Sequence, residues 1–135
     1  MKIVVLIVGV IIFAVSACKK PVTEPNSGIY RGSFFEIFEN GDTAGQGVAN
    51  LAIAKGDGNF NLSGDTATGA PLSCSGSYVI NNSTQMTFNN IVNVDFGYHP
   101  YNLLDTTWNY TFDDHNFHLD LAFDTVRFEY RLVRN

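Results

Sequence analysis

The chain has 135 residues, 45% of them apolar and 16% charged, with eleven Phe, six Tyr and one Trp, so it can fold as one small domain around a core of its own. Eight Lys+Arg against thirteen Asp+Glu give a net charge of −5, which excludes the basic surface that nucleic-acid binding requires. The aromatics sit among Thr, Asn, Gly and Asp without blocks of strong helix formers, a composition that points away from helical bundles and doubly wound folds and toward an all-β domain.

In chain order, residues 1–17 read as a signal peptide. Lys2 supplies the positive start, an almost unbroken apolar run extends from Ile3 to Val15, and Ser16 and Ala17 are the small residues at the cut. The run is shorter than the roughly 20 residues of a membrane span. The ending Val15-Ser16-Ala17-Cys18 resembles a bacterial lipobox, in which the cysteine thiol is acylated before cleavage, and it makes Cys18 the expected lipidation site. Acyl chains there would hold the protein to a bacterial cell-envelope membrane, expected to be the outer membrane, since each buried methylene contributes about 0.8 kcal/mol. The matured chain would lose Lys2 and carry seven basic against thirteen acidic groups, or −6. Residues 18–27 continue as a polar Pro/Thr/Glu/Asn/Ser stretch without periodicity, the composition of a lipid-anchored linker.

From Gly28 onward the apolar period is two. Five strands are expected around Tyr30, Phe34 and Phe38; Leu51 and Ile53; Phe60 and Leu62; Cys74, Tyr78 and Ile80; and Met86 and Phe88. Asn40-Gly41-Asp42, Lys55-Gly56-Asp57-Gly58 and Asn81-Asn82-Ser83-Thr84 supply turns. A longer irregular stretch over 91–104 contains Phe96, Tyr98, Tyr101, Leu103 and Leu104, too apolar for a loop that merely crosses solvent. It reads as a crossover, plug or lid, with Tyr98 and Tyr101 as lid residues.

Three strands follow. Trp108, Tyr110 and Phe112 alternate with Thr107, Asn109 and Thr111; Phe117, Leu119, Leu121 and Phe123 with His118, Asp120 and Asp124; and Val126, Phe128, Tyr130 and Leu132 with Arg127, Glu129 and Arg131. Turns at Asp114-His115 and Asp124-Thr125 would set Phe112 opposite Phe117, Tyr110 opposite Leu119, Trp108 opposite Leu121, Phe123 opposite Val126 and Leu121 opposite Phe128. Eight short sequential antiparallel strands in about 108 residues leave two raw edges if flat and none if closed. The expected fold is therefore an eight-stranded antiparallel up-and-down β-barrel over residues 28–135, with a β-sandwich as the alternative.

The segments Gly28-Ile-Tyr-Arg-Gly-Ser-Phe34, Cys74-Ser-Gly-Ser-Tyr78 and Tyr130-Arg-Leu-Val-Arg134 resemble small lipocalin-like lipoproteins of the Bacteroidetes. The resemblance covers most of residues 28–135 and implies a calycin-type barrel on a lipid tether, with no catalytic residue and no established activity. The chain departs from classical lipocalins in having no Gly-x-Trp near the first strand and no terminal helix pattern.

Other chemistry is sparse. His115-Asn-Phe-His118 with Asp113, Asp114 and Asp120 invites a metal reading, but His115 falls in a turn and the others on a wet strand face, so neither a metal nor another cofactor is expected. No catalytic constellation stands out. Cys74, the one cysteine left after lipidation, shares the Tyr78/Ile80 face and reads as a buried thiol without a disulfide partner. Phe34, Phe60, Tyr78, Phe88, Trp108, Tyr110, Phe112, Phe117, Phe123, Phe128 and Tyr130 are all expected to point inward. An eight-stranded barrel is wide enough either to be filled by side chains or to hold one small ligand. The first reading is thus an envelope binding protein with a small apolar or amphipathic ligand lined by Tyr78, Trp108, Tyr110 and Tyr130; the second is a solid barrel acting through a surface contact as an interaction, structural or inhibitor protein.

Overall fold

The computed structural model describes residues 23–65, 67, 68, 70–92 and 103–135. The expected signal peptide and Cys18, together with Phe96, Tyr98 and Tyr101, lie outside the described residues. Eight strands follow in order: β1 (Gly28–Phe38), β2 (Thr43–Ala54), β3 (Asn59–Ser63), β4 (Cys74–Ile80), β5 (Gln85–Asn90), β6 (Thr107–Phe112), β7 (Asn116–Phe123) and β8 (Val126–Arg134). Each pairs antiparallel with its sequence neighbour, and β8 returns to β1 with Tyr30 opposite Arg134 and Phe38 opposite Val126. The sheet is a closed barrel rather than a sandwich, so no strand edge is left open.

The alternation that marks the strands also fills the barrel. Tyr30, Phe34, Leu51, Leu62, Met86, Phe88, Trp108, Tyr110, Phe117, Leu119, Tyr130 and Leu132 are all at most 2% exposed. The rings interlock along the axis. Tyr30 meets Phe117 edge-on at 5.4 Å, Tyr130 meets Trp108 at 5.3 Å and Phe34 at 4.9 Å, and Phe60 meets Phe88 at 5.0 Å. Such tilted and edge-to-face contacts add to the 1.5–3 kcal/mol that burying one large apolar side chain typically contributes.

The C-terminal registers are those the pattern requires: Phe112 opposite Phe117, Tyr110 opposite Leu119, Leu121 opposite Phe128 and Phe123 opposite Val126. The β6–β7 pairing ends at Asn109 opposite Asp120, one residue short of setting Trp108 against Leu121. Short polar side chains close the turns. Asp113 Oδ1 accepts from the amides of His115 (3.1 Å) and Asn116 (2.8 Å), Asn82 Oδ1 from Thr84 N (2.9 Å), and Asn40 Oδ1 from Asp42 N (3.0 Å). Asp124 sits at φ 54°, a left-handed conformation that Asp tolerates better than most residues and that a two-residue hairpin turn needs. Two glycines of the motif segments have a packing reason: a Cβ on Gly32 would run into the Arg131 carbonyl, and one on Gly76 into that of Asn89.

Side-chain direction follows parity, but two expectations about burial fail. Phe123 is 52% exposed and Phe112 only partly buried, although both follow the inward parity of their strands. Parity fixes the face, not the depth: Phe123 and Phe38, each paired with Val126, stand at the strand ends beyond the packed middle, and Phe38 is 46% exposed. Glu129 fails in the opposite sense. It stands on the outward face, as the alternation requires, and is nevertheless only 4% exposed.

Candidate functional site

The barrel has two ends. One gathers the β2–β3, β4–β5 and β6–β7 turns with the first residue of β1; the other gathers the β1–β2 and β7–β8 turns. At the first end lie residues 23–27, the last part of the stretch expected as linker. Pro25 is buried. Around it Tyr110 Oη donates to the Thr23 carbonyl (3.0 Å), Tyr78 Oη to Glu24 Oε1 (2.9 Å) and Tyr30 Oη to the Asn26 carbonyl (2.7 Å). Ser27 completes the seam: its Oγ accepts from Lys55 N (2.8 Å) and its carbonyl from Arg134 Nη2 (2.8 Å). The segment is a strap across the barrel mouth, with a proline ring under it and three tyrosine hydroxyls holding it down.

The electrostatics keep those hydroxyls as donors. Burial raises the phenol pKa of Tyr78, and the hydrogen bond and charge of Glu24 raise it further; Tyr110 is raised by burial and then by Glu24. Tyr30 is raised by burial despite the opposing charge of Arg134 and its bond to Asn26. All three therefore stay protonated at neutral pH.

Of the residues expected to line a ligand space, Tyr78 and Tyr110 belong to this mouth, while Trp108 and Tyr130 lie in the middle of the barrel. Their exposures are 5%, 2%, 0% and 0%. Trp108 Nε1 and Tyr130 Oη have no hydrogen-bond partner among the described residues. Burial drives the Tyr130 pKa well up, and the neighbouring Cys74 adds to it. Cys74 is 3% exposed, and burial pushes its thiol up to about 11, against a backbone hydrogen bond with Leu104. The thiol is thus protonated and shielded, as an inert core residue should be. Two of the four side chains expected to line a ligand space have no accessible surface and the other two almost none, and three grooves stand out among the described residues. One of about 290 Å³ lies between Phe38, Ala122 and Val126, one of about 280 Å³ between His118 and Val133, and one of about 270 Å³ between Asn61 and Ser75. Leu103 and Leu104, from the stretch expected as plug or lid, are buried in the core.

The histidine-aspartate hairpin is arranged for a turn. The Asp113 carboxylate is lowered by the backbone amide of Asn116, then by the Asn116 side chain and the His115 amide. Among the described residues no three His, Cys, Asp or Glu side chains converge as metal ligands. His118 faces Glu129 instead, Nε2 to Oε2 at 3.7 Å. Glu129 lies on the outer barrel wall beneath Arg127 (2.7 Å) and Arg131 (2.6 Å), and Arg131 also covers the Phe35 ring at 4.7 Å. Burial alone would raise the Glu129 pKa; the Arg131 hydrogen bond and the charges of Arg131, Arg127 and His118 outweigh it and hold the carboxylate down. A carboxylate flanked by two arginines at i±2 on a strand was the visible signal for this cluster. For the strap the signal was weaker: tyrosines near strand ends whose hydroxyls need an acceptor.

No family model matches the sequence, and no curated protein or solved structure matches it.

Proposed function

We propose that this chain is a lipid-anchored protein of the bacterial cell envelope, one of the small lipocalin-like lipoproteins, whose solid barrel acts through contacts made by its outer surface. The anchor rests on Val15-Ser16-Ala17-Cys18, and the placement in the Bacteroidetes type on the Gly28–Phe34, Cys74–Tyr78 and Tyr130–Arg134 segments. The observation that favours a solid barrel is that Tyr78, Trp108, Tyr110 and Tyr130 are 0–5% exposed, packed on one another and on the chain's own strap. The reading assigns no catalytic step and no cofactor.

A second reading, ligand holding, is favoured by one observation: the Trp108 and Tyr130 donors lie in the core without acceptors among the described residues, where the polar group of an amphipathic guest would satisfy them. Native mass spectrometry of the protein purified from its own envelope, with titration of a fluorescent apolar probe, separates the two. The solid barrel gives the bare acylated mass and no saturable uptake. A co-purifying molecule, or uptake lost when Trp108 is replaced, makes the chain a binding protein. Cys18→Ser should leave the chain unprocessed or free of the membrane, and an unmodified Cys18 thiol on membrane-bound protein would sink the anchor.

A further inference from the structure

We infer that the strap fixes the barrel's orientation on its membrane, with the end bearing the β2–β3, β4–β5 and β6–β7 turns facing the lipid surface and the opposite end facing away. The inference rests on the anchor proposed at Cys18 and adds what the strap's geometry makes of it. Cys18 lies five residues before Thr23, the first of the described residues, which is held on the barrel where Tyr110 Oη donates to its carbonyl. Five residues reach at most about 17 Å when fully extended. Strand β1 has eleven residues. At about 3.3 Å per residue and a tilt near 40°, it makes the barrel wall roughly 28 Å tall. The tether is shorter than the wall, so an acyl group in the bilayer can meet the strapped end or lie beside it, whereas the far end cannot be turned onto the membrane while the strap is docked.

The docking itself is well secured. Bonds from Tyr30, Tyr78, Tyr110, Lys55 and Arg134 hold the strap, and buried Pro25 supplies the apolar contact. Were the strap undocked as far as Ser27, the free tether would lengthen to ten residues and about 35 Å, enough to let either end approach the bilayer. Orientation is therefore a property of a handful of hydrogen bonds and one proline.

The test places a fluorescent amino acid at Asp57, in the exposed turn of the strapped end, or at Thr125, in the exposed turn of the far end, of the full-length acylated protein. The protein is reconstituted in phosphatidylethanolamine/phosphatidylglycerol vesicles containing a headgroup-linked quencher. The expected result is several-fold stronger quenching at 57 than at 125, with the difference shrinking in a Pro25→Gly/Tyr78→Phe/Tyr110→Phe variant that still floats with the vesicles. Equal or reversed quenching overturns the orientation, and an unchanged difference in the triple variant overturns the strap as its cause. Protein that fails to float overturns the natural anchor instead; the same pair of reporters, on protein coupled at Cys18 to a maleimide lipid, then still decides the orientation, because buried Cys74 does not compete for the reagent.

Discussion

The strapped mouth and the middle of the barrel use the same kind of residue in opposite ways. At the mouth, the hydroxyls of Tyr30, Tyr78 and Tyr110 each find an acceptor in Thr23, Glu24 or Asn26. In the middle, Trp108 and Tyr130 meet edge-on at 5.3 Å, and neither indole nitrogen nor phenol oxygen has a partner among the described residues. The difference follows from where backbone is available. Inside a closed barrel the carbonyls bond along the strand ladders and the inward neighbours are apolar, so a polar atom there has little to meet. At a barrel end, strands stop, and a crossing segment brings two fresh carbonyls and the Glu24 carboxylate within reach. Tyrosines at the mouth thus act as fasteners, and aromatics in the middle act as packing.

Of the two regions, emptying the middle has the larger effect. Trp108→Ala removes the side chain packed against Tyr130 at the barrel centre and should cost about 3–5 kcal/mol in urea unfolding. A loss below about 1 kcal/mol would mean that the barrel is not packed around Trp108.

Much of this contrast was legible in the sequence, and its limits are physical. Strand number, the polar turns and the registers of the last two hairpins follow from period-two alternation, because a one-residue slip would turn every apolar side chain outward. Alternation is silent about depth along the axis. That is why Phe123 was expected inside and stands exposed, and why it could not be foreseen that Tyr78 and Tyr110 would be fastened at the mouth while Trp108 and Tyr130 filled the middle. It is equally silent about an aperiodic segment such as Thr23–Ser27, whose place is decided by contacts with residues up to 107 positions away in the chain. Glu129 illustrates a third limit: two neighbouring arginines can cover an outward carboxylate.

Loosening the mouth should cost less than emptying the middle. Tyr78→Phe with Tyr110→Phe deletes two hydroxyl bonds to the strap and should lower stability by about 2 kcal/mol, at the usual 0.5–1.5 kcal/mol for each bond. The same variant should be cut faster within residues 23–27 by a protease of broad specificity, while far-UV circular dichroism stays that of a barrel. Unchanged cleavage would mean that the tyrosines do not hold the strap.

The outer wall offers a third measure, independent of both regions. Glu129→Gln should cost about 1 kcal/mol at pH 7, a modest figure because Arg127 and Arg131 are 54% and 58% exposed and water screens their pull. The sign with pH follows from a folded-state pKa held below the ordinary glutamate value. The stabilisation is fully present above the unfolded-state value and is lost as pH falls through the lower folded-state value. The gap between wild type and Glu129→Gln should therefore narrow on acidification in that range, and a gap that stays constant from pH 7 to pH 3 would show that charge at Glu129 contributes nothing.

The smallest effect is the most discriminating. Tyr130→Phe removes only a hydroxyl, and that hydroxyl has no partner among the described residues, so no hydrogen bond is lost, whereas the desolvation of a buried polar group is relieved. Stability should stay within about 0.5 kcal/mol of wild type or rise, while Tyr110→Phe alone, at a mouth bonded to Thr23, should fall by about 1 kcal/mol. The ring contacts of Tyr130 with Trp108 and Phe34 survive in the phenylalanine, so packing does not confound the comparison. A clear loss on Tyr130→Phe would reverse the reading of the barrel's middle: it would mean that the hydroxyl is satisfied in solution by something other than this chain's described residues.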